Sequence, residues 1–242
     1  MSLRQIQLGY CTNVHAGADF DQTRSNLESH ACEVKERVCP NHPMALGLWL
    51  SASSAETILR DELEQFRDWL AEKELIPFTL NGFPFGNFHS EIVKHDVYKP
   101  TWNEEARLQY TLNLIEILDC ILPVGLVGSI STLPLGWPTS DLTDELLIGC
   151  ARNLQAVANR LAKLEDEKGR RIILCLEPEP GCILQRSTDL TRFFEEYLLR
   201  DADERMVRRY LGVCHDVCHA EVMFETQKEV LDLYRSTGIE VG

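Results

Sequence analysis

Short apolar runs alternate with longer segments whose apolar residues recur at helical spacing, from one end of the chain to the other. That alternation predicts βα units and a parallel sheet. Strands are expected near 6–13, 45–51, 76–81, 122–129, 171–177 and 210–216, with a seventh beginning at Ile239. Helices are expected near 22–38, 55–73, 103–119, 141–166, 187–199 and 221–236. Leu59, Leu63, Phe66 and Leu70 make one stripe that faces the sheet. Ser53, Asp141 and Ser187 stand where side-chain acceptors cap the free amides of a helix start.

Strand parity separates a closed barrel from an open doubly wound sheet. In the fifth run Ile172, Leu174 and Leu176 share one face, while Ile173, Cys175 and Glu177 share the other. Gly212, Cys214 and Asp216 share a face in the sixth, and Leu46, Leu48 and Leu50 oppose Gly47, Trp49 and Ser51 in the second. A bulky aliphatic face set against a small or polar one suits helices outside and a crowded interior. A sheet covered by helices on both faces would carry aliphatics on both. No GxGxxG or GxxxxGK[ST] turn follows a strand, which argues against a nucleotide-binding sheet. The expected class is α/β, a parallel (β/α) TIM-type barrel. Without a Gly/Ser linker or a longer repeat, residues 1–242 read as one domain of about six to seven of the eight βα units, incomplete at the C-terminus. Residues 82–102 form a long aromatic-rich connection after the third strand, and long βα loops lie over the functional mouth of such barrels.

Composition narrows the partners. The 242 residues, 44% of them apolar, suffice for one sizeable core. A formal charge of −14 repels nucleic acid and anionic lipid, so neither is an expected partner. No apolar stretch reaches the roughly 18 residues of a membrane span. Nine cysteines without repeated spacing, several inside apolar runs, read as reduced thiols and point to the cytoplasm. Composition leaves the oligomeric state open.

Barrel chemistry sits at the carboxyl ends of strands. There ILCLEPEP places Glu177, and GVCHDVCHAE places Asp216 with His219 three residues on. Carboxylates on adjacent strand ends repel unless a proton or cation intervenes. A divalent metal held by Glu177, Asp216 and His219 answers that, and the donors suit Mg, Mn, Co or Zn without choosing among them. The structural alternative keeps the carboxylates ion-paired or hydrogen-bonded and makes His219 a helix cap. A compact zinc site from Cys214, His215, Cys218 and His219 is disfavoured, because consecutive strand residues point to opposite faces. Asn13 and His15 at the end of strand one, Asn81 at the end of strand three, Ser129 and Ser131 following strand four, and His89 in the long loop are candidate substrate contacts. Lys94 and His95 are weaker loop candidates. Glu179 shares the parity of Glu177 and is a candidate proton-transfer base.

The pairing of Glu177 with the DxxH of Asp216 and His219 resembles the xylose isomerase-like superfamily of sugar isomerases, ketose epimerases and apurinic endonucleases. LGVCHDVCHA looks most like the endonuclease version. The resemblance implies that Glu177 and Asp216 are metal ligands and that His219 contacts metal or substrate. LGYCTNVH at the start, TLNGFPFGNFH in the long loop and SISTLPLGW near 129–137 resemble the family called metabolite traffic protein EboE. Members of that family run past Gly242, and superfamily isomerases take further ligands from strands seven and eight. The leading expectation is therefore a metal-dependent isomerase or epimerase-like protein handling a small polyol, sugar or cyclitol, with catalytic roles for Glu179 and His219. The alternative is a non-catalytic metabolite-binding or transport-associated protein. An apurinic endonuclease-like phosphodiesterase is a third reading, opposed by the acidic charge and by too few strand-end histidines.

Overall fold

The computed structural model describes residues 8–86, 94–138 and 142–242, and of Lys94 and His95 only the backbone. His89 and Asp141 lie outside the described residues. Six strands make one sheet: β1 Tyr10–Cys11, β2 Met44–Trp49, β3 Leu75–Asn81, β4 Gly128–Thr132, β5 Ile172–Leu176 and β6 Leu211–Val213. They lie in the order β1-β2-β3-β4-β5-β6, each parallel to the next. A doubly wound sheet would reverse its order at a switch point, whereas a barrel wall runs in sequence order. Val213 pairs with Val241 in a parallel bridge, so the expected seventh strand starts within three residues of Ile239.

The two faces differ as the parity predicts. Leu46, Leu48, Leu80, Ile130, Ile172, Leu174, Leu176, Leu211 and Val213 are all buried beneath helices. Each such side chain contributes about 2 kcal/mol by leaving water. Across the opposite face the register aligns Gly47, Thr79, Ser129 and Ile173, and a layer higher Asn81, Ser131, Cys175 and Gly212. Small hydroxyls fit a narrow interior and satisfy each other there; Ser129 Oγ donates to Thr79 Oγ1 at 2.8 Å.

Helices over 20–38, 52–72, Glu105–Ile121, Asp144–Lys168 and 187–198 cover the outside. Asp19 opens the first by accepting from the Gln22 amide, and Gly169 closes the fourth at φ 66°. Several expected boundaries move. Ser51, rather than Ser53, caps the second helix, and Thr143 caps the fourth. Ser187 is the first helical residue, and Asp189 reaches back to accept from the Arg186 amide at 3.1 Å. The expected strand 122–129 is a turn containing Gly125 at φ 88° and Val124, which is 90% exposed; the strand begins at Gly128 and holds Ser129 and Ser131 inside it. A helix Glu204–Tyr210, capped by Asp203, fills a stretch with no expected element. The single helix expected over 221–236 is two, Val217–Val222 and Gln227–Ser236, broken at Phe224 with φ 57°.

All nine cysteines are free thiols. No helix among the described residues is long and apolar enough to cross a membrane.

Candidate functional site

The ends of β5 and β6 build the site. Glu177 follows β5 directly, and its amide donates to the Thr132 carbonyl at 3.0 Å, which extends the ladder to the strand's last usable position. The Cys214 amide does the same to Leu176 at 2.9 Å. Asp216 then caps the Val217–Val222 helix, with Oδ1 accepting from the amides of Cys218 and His219 at 2.6 and 3.1 Å. That leaves Oδ2 toward His219, whose Nε2 is 3.8 Å away. His219 Nδ1 lies 3.0 Å from the Pro178 carbonyl and 3.9 Å from Glu177 Oε1. A carbonyl only accepts, so Nδ1 carries the proton and the Nε2 lone pair is free to serve as a ligand.

One ligand atom each from Glu177, Asp216 and His219 lies within 4.8 Å of the other two, and these form the one such acidic or imidazole triad among the described residues. Burial pushes the Glu177 carboxyl up to about 7; the charges of Asp216 and Glu179 push the same way, while His219 and the Cys214 thiol oppose it. Two carboxylates and an imidazole fixed by its other nitrogen fit a divalent ion in chemistry and in spacing. The cap that Asp216 supplies also realises the structural alternative in part, but through Asp216 and not through His219. The compact Cys/His zinc arrangement does not form: His215 bonds to Gln227 and packs on Tyr234, and Cys218 is exposed.

Glu179 stands beside the triad in a tight turn, its amide bonded to Leu184 and its carbonyl to the Cys182 amide. Tyr98 Oη donates to Glu179 Oε1 at 3.2 Å, and the Cys182 thiol is 3.9 Å from Oε2. Burial raises the Glu179 carboxyl, opposed first by His219. The Tyr98 ring packs against Trp137 at 5.1 Å and against Phe83 at 5.7 Å. Gly181, at φ 89°, lies so close under Trp137 that a Cβ would come within 2.6 Å of the indole. The Tyr98–Glu179 contact carried no sequence signal, since the two residues lie 81 apart; the aromatic-rich connection marked only the region from which Tyr98 comes.

The other expected contacts are dispersed. His15 accepts or donates at Tyr10 Oη (2.7 Å) and stacks on His30 of the first helix at 4.3 Å, so it turns toward that helix. Asn13 lies in the short turn after β1 with a buried Oδ1 that meets no hydrogen-bond donor among the described residues. Asn81 lies on the inner face, where its Oδ1 accepts from the Phe83 amide at 2.9 Å and from Ser131 at 3.4 Å. The long connection is tied at both ends by buried Arg107, which donates to the carbonyls of Gly82, Phe83 and Pro100.

No family profile and no curated protein matches the chain. Solved structures do. The chain is similar to the IOLI protein with a bound zinc atom, at 13% identity and TM-score 0.53, over 97% of this chain and 70% of that one. A probable 3-DHS dehydratase, AsbF, involved in petrobactin synthesis in Bacillus anthracis, matches at 12% identity and TM-score 0.56, over 96% and 69%. A xylose isomerase-like TIM barrel protein from Mycobacterium smegmatis, in complex with magnesium, matches at 12% and 0.60, over 96% and 72%. At these identities the likeness shows the fold, which is that of the xylose isomerase-like TIM barrels.

Proposed function

We propose that this chain carries a divalent-metal centre at Glu177, Asp216 and His219 and acts as an isomerase or epimerase on a small polyol, sugar or cyclitol. The convergence of the three donors within 4.8 Å at adjacent strand ends carries the reading. Solved structures of the same fold bind zinc or magnesium, which supports a divalent ion without selecting one. Such an ion supplies Lewis acidity to a substrate carbonyl. The chain's own residues do the rest. His219, fixed by Pro178, orients whatever meets Nε2, and Glu179, beside the triad with its Oε1 held by Tyr98, accepts or returns a proton. The motif resemblance to the EboE family supports a role in handling a metabolite. It also supports the second reading, a carrier that binds without turnover.

Metal content measured by mass spectrometry after chelation and reloading tests the proposal. One equivalent is expected in the wild-type chain, falling to background in Glu177→Ala and Asp216→Ala. A wild-type chain that takes up no metal overturns the metal centre; one that takes it up but leaves a panel of aldoses, ketoses and cyclitols unchanged favours the carrier.

A further inference from the structure

A divalent ion balances two of the three carboxylates gathered in the mouth, those of Glu177 and Asp216, and leaves Glu179. Glu179 is only partly exposed, and among the described residues its nearest donors are the Tyr98 hydroxyl at 3.2 Å and the Cys182 thiol at 3.9 Å, neither of them a cation. A thiol at that distance is a weak donor, so Oε2 keeps most of its capacity to accept. The charge of His219 is what eases Glu179 most, and a His219 that serves the ion as a neutral ligand no longer supplies it; a half-buried carboxylate without a cationic partner is costly until a cation arrives. Tyr98, bonded to Glu179 through its hydroxyl, packs against Trp137 with the ring centroids 5.1 Å apart and inclined by 35°, and Trp137 in turn lies over Gly181, two residues from Glu179. Aromatic faces next to a carboxylate favour a positive charge through the ring quadrupole, and they reject phosphate. The surrounding field has the same sign, since the whole chain carries a net charge of −14.

We infer that Glu179, Tyr98 and Trp137 form a subsite for a protonated amine, and that the ligand of this mouth is an amino-bearing polyol, neither a phosphorylated nor an uncharged one. This inference rests on the metal-centre reading, which places the mouth and takes up the charges of Glu177, Asp216 and His219. In this role Glu179 anchors the ligand in place of transferring a proton: the ammonium would sit against Glu179 Oε2, with its carbon skeleton along the two rings and its hydroxyls toward the triad. Tyr98 holds Oε1 by its hydroxyl and so presents Oε2; it acts as a positioning residue.

The test is calorimetric titration of the metal-loaded chain with glucosamine, glucose, N-acetylglucosamine and glucose 6-phosphate. Glucosamine is expected to bind at least about tenfold more tightly than each of the other three, the order expected for one charge-assisted contact. N-acetylation keeps the nitrogen and removes the charge, so it isolates the charge itself. The preference is expected to vanish in Glu179→Gln and to weaken in Trp137→Leu, which keeps the test available should Glu179→Gln fail to fold. Equal binding of glucose and glucosamine, tighter binding of the phosphate, or no binding of glucosamine overturns the subsite. Metal content separates the two failures. A chain that holds its metal but shows no amine preference loses only the subsite, while one that never takes up metal loses the centre.

Discussion

Replacing Glu177 with glutamine keeps the shape of the side chain and removes its charge, and the metal-free chain should become more stable at neutral pH as a result. The carboxyl's own side chain is only 17% exposed, and its value moves from an ordinary 4.5 to about 7. A carboxyl with a raised folded-state value binds its proton more tightly in the folded chain than in the unfolded one. Stability from this group is therefore intact below about 4.5, falls as pH rises toward about 7, and is fully lost above that. A difference of about 2.5 pH units corresponds to about 3 kcal/mol, an upper bound because burial so close to a mouth is relieved by water. Urea denaturation of the chelated wild type and Glu177→Gln at pH 4.5, 6 and 8 measures it. The two should coincide at pH 4.5, and the variant should be ahead by up to about 3 kcal/mol at pH 8. Adding Mg²⁺ or Zn²⁺ at pH 8 should raise the wild type and leave the variant where it was, since the ion favours the ionised carboxylate. A wild type more stable than the variant at pH 8 without metal would refute the reasoning, because it would mean that the charge is already compensated by the protein.

Two further substitutions separate structure from site. Asp216→Asn retains an acceptor for the Cys218 and His219 amides but loses the charge, so thermal stability should shift by less than about 1 kcal/mol while metal uptake is lost; retained uptake would remove Asp216 from the ligand set. Arg107→Leu leaves the carbonyls of Gly82, Phe83 and Pro100 without their buried donor. Burial draws this guanidinium down to about 10 although the charges of Tyr110 and Glu104 oppose it, and among the described residues its Nη2 has no hydrogen-bond partner, so part of the loss is offset by relief of charge burial. The net expectation is about 2–4 kcal/mol lost in chemical denaturation, with faster proteolysis between 82 and 102; an unchanged midpoint would show that the two terms cancel.

Parity carried more of this fold than hydrophobicity did. ILPVGLV looks like a strand because it is apolar and β-branched, yet Pro123 and Gly125 turn the chain there and leave Val124 in water. The real fourth strand, GSIST, has one large aliphatic residue, because its outer face needs only Ile130 beside Thr132 and its inner face meets a narrow interior that takes Ser129 and Ser131. A scan for apolar runs therefore selects the turn and passes over the strand. The same requirement explains how much of the site could be read. Where an aliphatic strand ends on a carboxylate of inner-face parity, no core contact accounts for the residue, so Glu177 and Asp216 were legible from position alone. Glu179 was half legible by the same rule. Its partner Tyr98 was not, since a bond across 81 residues leaves no trace in any local pattern, and only the folded connection brings the hydroxyl to the mouth. His15 shows the limit of the rule. Two strand residues are too few to fix the parity of the residues after them, and a 3₁₀ turn over Thr12–Val14 swings the His15 ring onto His30, away from the place that an extended chain predicts. Strand-end reasoning therefore carries further from the five-residue β5, whose ladder runs on to Glu177, than from the two-residue β1, where the chain turns before the direction of the next side chains is set.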